Sequence, residues 1–305
     1  MSIYRRLMMQ RPHSVTPANN FKIVNNTASA GTITFTKTGS PATLNLYYST
    51  DGRNFNLLNT DATTTLTLPA SGYVEFKGNM TSFAADTSNY WSLKANVSHN
   101  VSGNIMSLVG NAATIADYAF NTFFNQDTNL VDASQLLLPA LTLAQRCYRG
   151  LFRYCSGLTA APNLPATTLA ANCYQYMFQG TSLTTAPNLP ALALASQCYD
   201  AMFHSCTSLV TGPVIAATDC AYYRSCYEMF YGCANIRSVT AMFTNWNYTD
   251  AATNASGNKG WTNRWFYNAR NNADCTFTCA NSTMATAWKN TRSNASVPSR
   301  WTVTY

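Results

Sequence analysis

RCYRGLFRYCSGLTAAPNLPATTLAA (146–171), NCYQYMFQGTSLTTAPNLPALALAS (172–196), QCYDAMFHSCTSLVTGPVIAA (197–217) and SCYEMFYGCANIRSV (225–239) are copies of one another, and their alignment decides the fold. The unit is roughly 25 residues long, a period that marks a stacked-repeat architecture. Phe152, Phe178, Phe203 and Phe230 recur at one position, and Leu158, Leu183, Leu209 and Ile236 at another. One turn of chain cannot bury such groups alone. Stacked at the ~4.8 Å spacing of neighbouring strands, the copies form continuous Phe and Leu ladders. The Pro-Asn-Leu-Pro segments at 162–165 and 187–190 hold extended backbone at the corners, because proline fixes φ and biases the residue before it towards the β region. A weaker copy, ADYAFNTFFNQDTNLVDASQLLLPA (116–140), precedes them, so a solenoid is expected over 102–243.

Upstream, 21–101 reads as seven short β-like runs, FKIVNN, GTITFTK, ATLNLYYST, FNLLN, TTLTLPA, YVEFKGN and YWSLKANV. Alternation in Thr32-Ile33-Thr34-Phe35-Thr36 puts apolar side chains on one face, and Asp51-Gly52 is a hairpin-type turn signal. A small β-sandwich is the expectation. Downstream, 244–305 is rich in Asn, Gly and Trp and is expected to cap the apolar end of the ladders, with Trp288 and Trp301 in its core. In residues 1–20, Ile3, Tyr4, Leu7 and Met8 line one face of a short segment halted by Pro12 and Pro17. With Arg5 and Arg6 they form a candidate docking arm, too short to be helical without a partner. The fold class expected is therefore mainly β: sandwich, solenoid, cap.

Charged residues make up 10% of the chain, against about 25% in ordinary soluble domains. Few carboxylates remain for acid/base chemistry, which argues against an enzyme. The net charge of +7 is spread without a dense Lys/Arg run or a basic stripe, which argues against nucleic acid. No stretch of about 18 apolar residues predicts a membrane span. Met1 to Gln10 lacks the apolar core of an export signal, so assembly in a cytoplasm is expected.

Ten cysteines invite a metal or disulfide reading. Cys147, Cys173, Cys198 and Cys226 occupy one repeat position; Cys155, Cys206 and Cys233 occupy another, filled by Thr181 in one turn. Periodic cysteines form a line along the stack instead of converging on a point, so buried thiols are expected, with no metal and no cofactor. Cys275-x-x-x-Cys279 leaves a local crosslink open. His13, His99 and His204 lie in separate segments. Asp117, Asp127 and Asp132 in the weak copy suit a carboxylate pair or a calcium site less well than turn and capping roles. Neutral aromatics beside Asn and Thr suit sugars or protein partners, and Tyr154, Tyr176, Tyr223, Tyr231, Trp246, Trp261 and Trp265 form the candidate ligand surface.

The consensus CY-x-x-MF-x-x-C-T-S-L-T-T-A-P-N-L-P-A-T-T-L-A resembles the BspA-like leucine-rich repeats of Bacteroides-type bacteria and of the crAss-like phages that infect them. The flanks YYSTDG, VEFKGN, SGNIMSL, TAMFT and VPSRWTV also look like those that accompany this repeat, so the resemblance covers most of 30–305. It implies a leucine-rich-repeat-like solenoid, surface exposure and adhesion or interaction without catalytic residues. Together with the missing export signal, it implies a virion structural protein exposed on a phage particle: a head fibre or capsid decoration, homo-oligomeric, docked on capsid or other virion proteins through the arm and open to host glycan or protein. The alternatives are a bacterial cell-surface adhesin, a tail fibre and a glycan depolymerase, the last of which would draw on Asp127 and Asp132.

Overall fold

The computed structural model describes residues 19–220, 223–244, 264–290 and 297–305. The candidate arm, including Ile3, Tyr4, Arg5, Arg6, Leu7 and Met8, lies outside the described residues, as do Trp246 and Trp261. The chain is mainly β, built in several sheets. No helix among the described residues is long and apolar enough to cross a membrane.

The first part holds β1 (Phe21–Asn25), β2 (Gly31–Thr38), β3 (Leu44–Ser49), β4 (Asn56–Thr60), β5 (Thr64–Leu68), β6 (Tyr73–Gly78), β7 (Tyr90–Ala95) and β8 (His99–Asn104). In β1 and the first part of β2 buried and half-buried residues alternate, as the two-residue period of a strand with one covered face demands. Strands β5-β2-β7 form one sheet, and β4-β3-β6-β1-β8 belong to another. Phe35 of the first meets Phe76 of the second edge to face at 5.6 Å. At the turn after β3, the Asp51 carboxylate accepts from the Arg53 and Asn54 N–H groups, both at 2.8 Å. These bonds hold its carboxyl well below the usual aspartate value.

The junction expected between residues 101 and 102 falls inside β8. One edge of β8 pairs with β1, and the other pairs in parallel with β9 (Leu130–Leu137), which belongs to the first repeat copy. The six-stranded sheet therefore crosses from the first part of the chain into the stacked turns. A strand edge left open would expose unpaired N–H and C=O groups, and the first turn covers this one.

Within the turns the backbone bonds alternate. Tyr148, Gly150, Phe152 and Tyr154 donate to Cys173, Gln175, Met177 and Gln179 of the next turn, at 2.7–3.1 Å. Arg149, Leu151 and Arg153 donate three residues back within their own turn. Every fourth residue is left-handed, as at Arg146, Gly150 and Tyr154, then Asn172, Tyr176 and Gly180. Left-handed backbone costs a non-glycine residue about 1–2 kcal/mol. Each of these N–H groups bonds across to the neighbouring turn, which offsets that cost.

The ladders run through this framework. Phe124, Phe152, Phe178, Phe203, Phe230 and Phe266 stack in sequence with ring centroids 5.2–5.8 Å apart. Leu158, Leu183, Leu209 and Ile236 are fully buried. At Gly157 a Cβ would lie 2.4 Å from the Thr128 carbonyl oxygen, so only glycine lets the two turns approach here. The ladder continues beyond the boundary expected at 243, because Phe266 extends the Phe column. Parallel pairing runs on from β10 (Thr211–Ile215) through β11 (Ser238–Ala241) and β12 (Thr276–Cys279) to β13 (Thr302–Thr304). Beyond Phe266, the segment α1 (Ser282–Asn290) and the chain end bring Trp288 and Trp301 over the column, both buried.

Candidate functional site

Residues between the left-handed positions project from the turns in columns. Backbone register aligns Asn121, Arg149, Gln175, Asp200 and Tyr227 in one column. It aligns Asn125, Arg153, Gln179, His204 and Tyr231 in the next, which Tyr267 continues. Because each turn presents the same positions one layer on, like side chains meet face to face. Tyr231 stacks on His204 at 4.6 Å and on Tyr267 at 5.3 Å. Guanidiniums lie over the rings: Arg146 over Tyr118 at 5.4 Å, Arg149 over Tyr176 at 5.2 Å, Arg153 over Tyr154 at 4.7 Å and Arg264 over Tyr267 at 4.9 Å. Such contacts contribute about 0.5–1 kcal/mol each when exposed.

Hydrogen bonds tie the columns along the stack. Arg149 Nε donates to Gln175 Oε1 (2.9 Å), and Gln175 Nε2 donates to Asp200 Oδ2 (3.0 Å). Gln197 Nε2 and Arg224 Nη2 also donate to the Asp200 carboxylate, each at 3.3 Å. Burial pushes the Asp200 carboxyl above its usual range, against the pull of Arg224 and of the two amides. Burial likewise lowers His204. Its Nδ1 lies 2.9 Å from Ser205 Oγ.

Of the candidate ligand residues, Tyr154 is exposed, while Tyr176, Tyr223 and Tyr231 are half-buried. Trp265 is not a surface residue: it is fully buried, 5.7 Å from Phe230 and 5.8 Å from Trp288. Backbone register places it in the inward-facing column of Met177, Met202 and Met229, which the turns continue past residue 243.

Cys147, Cys173 and Cys198 share a column, but Cys226 does not join it. Tyr199 N–H bonds to the Ser225 carbonyl, as Tyr174 N–H does to that of Cys198, so Ser225 takes the cysteine place. Cys226 then stands where Tyr148, Tyr174 and Tyr199 stack at 5.9 and 6.2 Å. One residue fewer separates Cys226 from Phe230 than separates Cys198 from Phe203, and the Phe column keeps the register. The second cysteine column has a definite task. Cys155, Cys206 and Cys233 place Sγ 2.9–3.1 Å from the carbonyls of Phe124, Phe178 and Phe203 in the preceding turn. All ten cysteines are buried, and burial pushes the Cys147 thiol up to about 12 and Cys206 up to about 11.

The acidic candidates do not converge. Asp117 accepts from Gln145 N–H (2.9 Å) and Asp132 from Ser134 N–H (2.6 Å). Asp127 accepts from Ala95 N–H (3.1 Å) and Asn129 N–H (3.3 Å), and its Oδ2 lies 3.3 Å from His99 Nε2, both side chains buried. This contact sits where the six-stranded sheet enters the turns. No group of three or more His, Cys, Asp or Glu gathers as metal ligands among the described residues.

Sequence reasoning did not single out Arg146, Arg149, Arg153, Gln175, Gln179 or Asp200. Writing the turns beneath one another from left-handed position to left-handed position would have found them, because they fill the columns beside the tyrosines. Comparison of the chain with protein-family models, curated proteins and solved structures returned no match.

Proposed function

We propose that the chain is a non-enzymatic virion structural protein, a head fibre or capsid decoration, in which a small β-sandwich carries a leucine-rich-repeat-like solenoid. The solenoid presents its turn face to host-surface glycan or protein. The observation that carries the reading is the recurrence of tyrosine rings packed against guanidiniums in successive turns of that face, held by inter-turn backbone bonds and side-chain amides. A rigid row of amphipathic rings loses little entropy on binding, which suits recognition. The carboxylates weighed for catalysis are instead engaged in capping and cross-turn bonds. The low charge, the resemblance to BspA-like repeats and the docking arm support placement on a particle, as a homo-oligomer anchored at its N-terminal end.

Cryo-EM of purified particles tests this. Density for the chain with residues 1–20 against capsid and the turns outward is the expected result. Absence from the particle would overturn it and favour a cell-surface adhesin.

A further inference from the structure

We propose that Arg146, Arg149 and Arg153, with Tyr118, Tyr154 and Tyr176, form a binding site for an acidic carbohydrate, a polymer whose sugar rings bear carboxylates. The proposal rests on the ligand-binding reading above and narrows it to one ligand class and one place.

Three guanidiniums project from one turn, and among the described residues no carboxylate lies within ion-pair distance of any of them. On the same face of later turns, Arg224 and Arg264 are paired, with Asp200 and Glu228. The positive charge of this face is therefore uncompensated at one end only. Burial, and then the like charges of Arg153 and Arg146, hold Arg149 below the usual arginine value even with Tyr176 opposing them. An arriving anion relieves that repulsion.

The guanidiniums are also held in place. Arg149 and Arg153 donate from Nε to Gln175 and Gln179, at 2.9 and 2.7 Å, and Arg153 lies over both Tyr154 (4.7 Å) and Tyr176 (5.0 Å). Arg149 Nη2 and Arg153 Nη1 make no hydrogen bond among the described residues. Fixed planar forks with free N–H groups match carboxylates in two-point geometry and lose little freedom on binding.

The surroundings distinguish a sugar acid from a nucleic acid. A phosphodiester chain needs a track of cations. In the next turns along this face Arg224 and Arg264 are paired with Asp200 and Glu228, so the unpaired cations are confined to one turn and form no such track. The buried amides of Asn121, Gln175 and Gln179 accept from the arginines and fix their direction, and exposed Tyr154 offers a ring for a sugar face.

Titrating the full chain with polygalacturonate, neutral dextran and single-stranded DNA by biolayer interferometry at low and physiological salt tests the site. Polygalacturonate is expected to bind, more weakly at the higher salt, and dextran is not. Arg149→Gln and Arg153→Gln are each expected to weaken binding about fivefold, the scale of one charge-assisted contact at a part-exposed site. Arg153→Lys, which keeps charge but not the fork, is expected to weaken it about threefold. Arg237→Gln, paired with Asp274 elsewhere, leaves affinity unchanged. Thermal melts establish that each variant folds. Equal binding of dextran, tighter binding of DNA, or no binding of polygalacturonate by the wild type would overturn the site, and particle incorporation reports separately on the structural role.

Discussion

Replacing Arg224 with leucine strands a carboxylate that the fold has removed from water. Asp200 is fully buried, and its oxygens meet Gln175 Nε2 at 3.0 Å, Gln197 Nε2 at 3.3 Å and Arg224 Nη2 at 3.2–3.3 Å. Deleting one member of a buried pair costs about 3–5 kcal/mol. Two amide donors stay, and the Arg224 side chain is 27% exposed, so water refills part of the gap and the low end, about 3 kcal/mol, is expected. The pH dependence follows from the direction of the shift. Burial raises the folded carboxyl above its ordinary 3.8, so the folded state holds the proton more tightly than the unfolded chain. Stability then falls as pH rises from 3.8 through the folded value. Losing the guanidinium raises that value further and widens the window, so the penalty is full at neutral pH and shrinks on acidification. Urea unfolding at pH 7 and pH 4.5, with the Asp200→Asn/Arg224→Leu double variant alongside, measures this. Because a neutral amide has no unpaired charge to strand, the double variant is expected to recover more than half of the loss at pH 7. A penalty equal at both pH values, or a double variant no more stable than the single one, would refute the reasoning.

Phe178→Ala removes a ring stacked on Phe152 at 5.7 Å and on Phe203 at 5.6 Å, and is expected to cost about 4 kcal/mol by urea unfolding; a loss under about 2 kcal/mol would mean that the column does not hold the turns together. Gly157→Ala drives a methyl group to within 2.4 Å of the Thr128 carbonyl oxygen and is expected to cost about 2 kcal/mol, an effect absent if the turns slide apart freely. Thiol reagent at pH 8 is expected to leave the native chain nearly unlabelled and to label all ten cysteines once it is unfolded, since each is buried; rapid labelling of the native chain would contradict the thiol columns. Asp127→Asn turns one carboxylate oxygen into a donor facing an N–H group and is expected to lower stability by about 2 kcal/mol, read from its melting temperature.

The ladders were legible because bulky residues at a fixed period have one way to be buried together. Phe152 and Phe178 need no neighbour but their own copies. Where the copies lose length or wording, legibility fails. Cys226-Tyr227 looks like Cys198-Tyr199, yet one residue fewer before Phe230 shifts it a place, and ring stacking outweighs the match of letters. Phe266 follows a long Asn- and Gly-rich stretch and lacks the Cys-Tyr pair, so its place in the column was hidden. The β8–β9 pairing joins segments whose alternation reads the same with or without each other, and period alone cannot name a strand's partner. The tyrosines of the turn face could be proposed from residue type. The arginines and amides beside them become visible only when register assigns them to shared columns.

The alternating backbone bonds make the length of this protein an adjustable quantity. The turns at 118–126, 146–154, 172–180 and 197–205 each donate the same row of N–H groups to the carbonyls of the turn that follows. A duplicated copy of 172–196 could therefore enter the stack without changing what lies at either end. Each duplication would extend the reach by about 4.8 Å and add one more row to the outer face. Gene duplication within the repeats can thus lengthen the molecule and redraw the face that its turns present, while the sheets of the first part of the chain stay as they were.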